Sequence, residues 1–193
     1  MKTFISSIRL TLVFCVFFAV FYVLILWIFG QVVNPNHGNA PVLTENGKVV
    51  GGANVGQNFT RNTYFWGRPS MAGDGYDASS SCGSNKGPTN PDYLKDVNGR
   101  IDAFLKAHPY LHRKDVPAEM VTASGSGLDP DITPASAEVQ VHRVAQARHM
   151  TDAQVKAIVA SVTEQPLLGM LGTPKVNVLK LNIALDEANH ATK

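Results

Sequence analysis

The stretch "CGSNKGPTNPDYL", residues 82–94, carries the ingredients of a phosphate-binding loop: two glycines, a lysine and a threonine ahead of a helical pattern. A Walker loop needs G-x-x-x-x-G-K-[ST] after a buried strand, because consecutive backbone N–H groups wrap the phosphates and the lysine reaches the terminal ones. Here three residues separate Gly83 from Gly87, Lys86 precedes the second glycine, Pro88 removes an N–H, and no strand pattern leads in. The spacing instead predicts a glycine-permitted turn, locked by Pro88 and Pro91, that delivers Asn90 as a helix cap.

Other reactive residue types fail on spacing too. "TASGSGLDPDITP", residues 122–134, sets two serines among glycines, but G-x-S-x-G is not satisfied and no nucleophile elbow is implied. Asp129 and Asp131 begin like a calcium loop, yet glycine is missing at its sixth position and Gln140 stands where a bidentate Glu belongs. His108 and His112 have zinc-pair spacing, but Pro109 ends the helix that would align them. Glu138 and His142 offer two ligands without a third. Neither cysteine has a Cys or His neighbour at metal spacing, and the sequon Asn58-Phe59-Thr60 matters only in a glycosylating host. The residues predict no catalytic constellation, no metal site and no bound cofactor. A membrane-tethered enzyme, the rival class, would have to work through Ser124, Ser126, Asp131 or His142.

The elements that position these residues begin with a membrane anchor. From Leu10 to Phe29 twenty residues run without a charge. At ~1.5 Å rise per residue that is ~30 Å, the thickness of a bilayer's hydrocarbon core. A core helix would show a polar face, and a signal peptide would end in a small-x-small cleavage site rather than Trp27-Ile28-Phe29-Gly30-Gln31. Leu10, Phe14, Phe18, Tyr22, Leu26 and Trp27 are therefore expected within an uncleaved span. Lys2 and Arg9 precede it and no further Lys or Arg appears before Lys48, so the amino terminus belongs inside and the remainder outside. Removing those two from 17 Lys plus Arg leaves 15 against 15 Asp plus Glu, a formally neutral outer part. Neutrality gives no reason to expect nucleic acid or anionic lipid as its partner. Cys15 and Cys82 lie in different compartments and form no disulfide framework.

The expected class is α+β: one N-terminal transmembrane helix followed by one compact soluble domain with three or more helices and a small sheet. Its parts are a cytoplasmic terminus (1–9), the span (10–30), a linker (31–47) and an extracytoplasmic domain (48–193). "KVVGGANVGQNF" reads as a strand or two with bends, "TYFWG" as a packed aromatic cluster, and 69–91 as a long polar loop of functional or mobile character. Asn90 with Pro91 starts a helix whose stripe is Leu94, Val97, Ile101, Phe104 and Leu105, ended before Pro109. Thr133 with Pro134 starts a second, through about Arg148, with Ala137, Val141, Val144 and Ala145 inward. Thr151 with Gln154 forms a capping box for a third, carrying Val155, Ile158, Val159 and Val162. "KVNVLKL" alternates as a strand and leads into a short closing helix at "NIALDEA".

Four strings, "GGANVGQNFTRNTYFWGRPS", "GYDASSSCGSNKGPTNPDYL", "VPAEMVTASGSGLDPDITPASAEVQVHRVAQAR" and "KVNVLKLNIALDE", resemble the C subunit of the Kdp-type potassium-transporting P-type ATPase of bacteria. The likeness runs in order from about Gly51 to Glu187. It implies a four-subunit, high-affinity potassium import pump of the inner membrane. One partner is channel-like and selects potassium, a P-type subunit hydrolyses ATP, a small single-span subunit stabilises, and this chain is accessory. Catalytic residues would lie on the ATPase subunit, so none is carried over. Cys82 stands where a small residue is expected and Lys86 where Leu is expected, and the membrane segment matches only in character. The family has also been described as an ATP-binding helper that raises the pump's affinity for nucleotide. The inferred outside location and the failed phosphate loop oppose that role. Contact with partners is expected from two loops stiffened by Pro and Gly. The first offers Gly83, Ser84, Asn85, Lys86, Gly87, Pro88, Thr89 and Asn90; the second offers Ser124, Gly125, Ser126, Gly127, Leu128 and Asp129.

Overall fold

The computed structural model describes residues 1–34 and 36–191. The chain divides into two compact units, one ending at Pro41 and the other beginning at Val42.

The first unit is a single apolar helix, α1 (Lys2–Val33), with a π-helical turn at Phe17–Tyr22. At 32 residues it is long and apolar enough to cross a membrane, and none of its hydrophobic window is buried within the protein. It extends beyond the expected span at both ends. Residues 2–9 continue the helix because no glycine or proline interrupts them, and the Ser7 hydroxyl is accommodated there by donating to the Thr3 carbonyl. At the other end Asn34 turns to an extended backbone (φ −77°, ψ 131°), the conformation favoured ahead of a proline.

The second unit opens with a hairpin, β1 (Val42–Glu45) and β2 (Lys48–Gly52), antiparallel with a bulge at Leu43/Thr44. It lies partly in the stretch expected to be linker. Asn46 (φ 49°) and Gly47 (φ 76°) supply the left-handed pair that a tight hairpin turn requires. After a long irregular passage come α2 (Pro91–Ala107), β3 (Asp131–Ile132), α3 (Pro134–Glu138), α4 (Val141–Arg148), α5 (Asp152–Val162), β4 (Thr163–Glu164), β5 (Lys175–Asn177) and α6 (Val178–Ala191). The three short strands form an antiparallel sheet in the order β3-β5-β4. The architecture is α+β, as expected.

Helix starts follow the predicted chemistry. The Asn90 side chain accepts from Asp92 N and Tyr93 N, Thr133 accepts from Ser136 N, and Thr151 and Gln154 form a reciprocal capping box. The expected 134–148 helix is instead two, broken at Val139-Gln140. Gln140 is fully buried, and its amide accepts from Trp66 N at 2.8 Å while donating to Trp66 O at 3.1 Å. Its side chain thus pairs a passing backbone segment as a strand would. "KVNVLKL" is strand only as far as Asn177. That residue caps α6 by accepting from Lys180 N, and its amide also donates to Ala53 O.

The core joins Phe65, Phe104, Met120, Ile132, Val141, Val144, Val155, Val176, Leu181 and Leu185. The inner faces of α4 and α5 are as predicted, with Val144 and Val155 fully buried. In α2 only Phe104 of the stripe is fully buried, and Leu94 remains 45% exposed.

Candidate functional site

The two loops expected to meet partners are brought together. Ser81 Oγ donates to Ser126 O at 2.9 Å, and the Cys82 thiol donates to Met71 O. Ser70 Oγ donates to Gly127 O at 2.6 Å and accepts from Tyr76 N at 2.7 Å. Arg68 pairs with Asp129 at 3.1 Å and reaches Ala123 O. Gly127 is the crossing point. It holds φ +69°, and a Cβ there would lie 2.7 Å from both Ala72 N and Cys82 O, so only glycine fits. Gly83 faces Gly125 O, 3.0 Å from where its own Cβ would be.

This interlock decides what the reactive residue types can do. Ser124 is buried and its hydroxyl accepts from Gly127 N, while Ser126 accepts from Leu128 N; both act as turn acceptors. Asp129 holds Arg68 and accepts from Asp131 N. Lys86 is turned to Asp96 of α2 at 3.3 Å. The first N–H groups of α2, which a phosphate would use, are taken by Asn90, and Asp92 puts a carboxylate in the same turn. Gly83, Ser84, Asn90, Leu128 and Asp129 are half-buried and Gly127 is buried. Asn85, Lys86, Gly87, Pro88, Thr89, Gly125 and Ser126 are exposed. These last are the outward-facing residues of the two loops. Leu10, Phe14, Phe18, Tyr22, Leu26 and Trp27 are exposed along α1.

The histidines are likewise committed. His142 lies 3.1 Å from Asp152 and 3.0 Å from Gln146, not on Glu138, which pairs with Lys156. His108 is fully buried: Nδ1 meets Phe104 O at 2.8 Å and Nε2 accepts from Arg143 Nε at 2.9 Å. Burial lowers the His108 pKa to about 4, so its ring is neutral and free to accept at Nε2. Among the described residues no group of three His, Cys, Asp or Glu is placed to hold a metal ion.

Two features were missed from the sequence. One is the buried spine His108–Arg143–Gln140. Arg143 lies 4.1 Å over the Trp66 ring and donates to Asn62 O, Tyr64 O and Gln140 Oε1. It sits on the polar side of a helix stripe, and no local pattern marks such a residue as buried. The other is an open cleft of about 430 Å³ beside the interlocked loops, lined by Phe59, Trp66, Arg68, Pro69, Asp74 and Tyr76 among others. The Tyr76 hydroxyl donates to Arg68 O, and burial, with the nearby Asp129 carboxylate, raises its pKa to about 12. The cleft wall is mixed, with Phe59, Trp66, Pro69 and Tyr76 set beside Asn58, Ser70, Asp74 and Arg68, the last held by Asp129. The density of aromatics in "TYFWG" and "GYD" was its only sequence signal.

The two loops thus spend most of their polar groups on one another and leave an exposed edge at Asn85–Thr89, Gly125 and Ser126. Residues 4–187 match the family described as KdpC, the K+-transporting ATPase c chain. The chain is similar to a potassium-transporting ATPase KdpC subunit of Bacteroides fragilis, 71% identical over 97% of this chain and 98% of that one. It is similar to that of Flavobacterium psychrophilum, 50% identical over 97% and 99%, and to that of Burkholderia orbicola, 49% identical over 88% of each. The chain belongs to the KdpC family, the c chain of potassium-transporting ATPases.

Proposed function

We propose that this chain is the non-catalytic accessory subunit of an ATP-driven potassium import pump of a bacterial inner membrane. Its α1 docks on the membrane helices of partner subunits with the amino terminus inside. The domain from Val42 onward lies outside, where it stabilises the complex and caps the potassium entrance of the channel-like subunit. ATP hydrolysis belongs to the P-type subunit, and the small single-span subunit completes the assembly. The observation that carries the reading is the near full-length family match on a chain whose polar loops spend their hydrogen bonds on one another. Lys2 and Arg9 at one end of α1, with no further Lys or Arg before Lys48, support the orientation. Two interlocked, proline-stiffened loops support a preformed contact surface, because a rigid face loses little entropy on docking.

The test is complementation. Cells lacking this subunit receive either the full chain or the chain truncated after Pro41, and potassium uptake is measured at low external potassium together with co-purification of the other subunits. The full chain restores both and the truncated one neither. Unchanged assembly and uptake without the domain would contradict the proposal. A nucleotide-binding helper would instead show saturable photolabelling of this chain by an ATP analogue, competed by unlabelled ATP.

A further inference from the structure

The hairpin between β4 and β5 ends in an apolar tip. Leu167, Leu168, Met170 and Leu171 are 69%, 78%, 77% and 57% exposed. None belongs to the hydrophobic core, and no charged residue lies between Glu164 and Lys175. Four large apolar side chains exposed within five residues are a local cluster rather than scattered single exposures, and clustered apolar surface is what marks interaction sites.

The tip is also fixed in shape. Leu167 N donates to Leu171 O at 3.2 Å and Leu171 N to Leu167 O at 3.0 Å, closing the turn from both sides. Leu168 holds φ +56° and Gly169 +73°. A left-handed position is one that Asn, Asp or Gly fills with little strain, and a leucine there carries a conformational cost besides its exposure to water. Two unfavourable features at one residue, neither relieved within the domain, point to something outside it.

We infer that the Leu167–Leu171 turn is a knob that seats in a neutral, apolar groove on a fellow subunit of the pump. This rests on the accessory-subunit reading. The alternative occupant is the lipid surface, and the base of the hairpin argues against it. Lys175 pairs with Asp131 at 2.8 Å and with Glu164 at 3.6 Å, and Lys180 pairs with Glu164 at 2.7 Å. Two cations are matched by two anions, which leaves no surplus positive charge for anionic headgroups. The tip also lacks the Trp and Tyr that favour a membrane interface. A turn held in one conformation with a self-neutralised rim suits a shaped protein groove that carries no net charge of its own.

The experiment uses the full chain expressed with the other pump subunits. Leu168→Asn relieves the left-handed leucine, so the thermal midpoint of the chain in detergent stays the same or rises. The pair Leu168→Asn with Met170→Ser should lower retention of the chain on the purified complex by about tenfold or more, the scale of losing one buried leucine from an interface. A photoreactive benzophenone side chain at position 170 should crosslink to a pump subunit in cells. Wild-type retention in the double variant, an assembly loss matched by lost stability of the chain itself, or a crosslink to lipid alone would overturn the knob. If the wild-type chain itself fails to co-purify, the accessory reading falls; if wild type and variant co-purify equally, only the knob does.

Discussion

Arg143 carries a positive charge into the core at 5% exposure, and the acceptors it meets are uncharged: two carbonyls, the Gln140 amide and the neutral His108 ring. Burial lowers its pKa to about 10, which still leaves it protonated at neutral pH. Arg143→Ala strands those acceptors, so a loss of about 3 kcal/mol or more is expected in denaturant unfolding of the full chain in detergent. His108 ties the spine to pH. Its folded pKa of about 4 lies below the usual 6.5, so between those values the unfolded chain binds the extra proton. Its contribution is whole above pH 6.5 and is lost as pH falls toward 4, at about 1.4 kcal/mol per unit of displacement. Unfolding midpoints measured from pH 7.5 to 4.5 should fall in wild type and fall less in His108→Gln. A parallel decline in both would contradict the assignment. At the loop crossing, Gly127→Ala meets both a positive φ and atoms at 2.7 Å, so a loss of roughly 2 kcal/mol or more is expected, with the two loops loosened together.

At the scale of elements, caps were legible and side-chain surrogates for backbone were not. Asn90, Thr133 and Thr151 start their helices as read, because capping is a local bargain among residues three apart. The Asn46-Gly47 turn is equally local, but it lies in a stretch rich in Asn, Pro and Gly whose composition also suits a linker. Asn177 misled because Val176 and Val178 alternate around it as in a strand, while the residue itself is a cap. Asn177→Ala removes the α6 cap and the bond to Ala53 O, for an expected loss of about 1–2 kcal/mol in the same unfolding assay. Asn177→Asp keeps the cap acceptor and should recover part of it. The break at Gln140 could not be read locally, since its cause is Trp66, 74 residues away. The partner loops were legible as stiff and polar, but their interlock depends on Gly127 meeting Ala72 and Cys82, contacts between distant segments that leave no periodic mark.

For the whole molecule, the proposal is an anchored domain that serves other subunits from the outer face of the membrane. Its partners would meet three surfaces: α1, the rim from Asn85 to Thr89 with Gly125 and Ser126, and the apolar turn at 167–171. Cys82 reports the side of the membrane directly, because its thiol is exposed in the domain and the other cysteine, Cys15, lies on α1. In a Cys15→Ser chain within intact spheroplasts, a membrane-impermeant thiol reagent should modify Cys82 to the same extent before and after the membrane is opened. Modification that appears only after opening would place the domain inside and contradict the proposed cap on the potassium entrance.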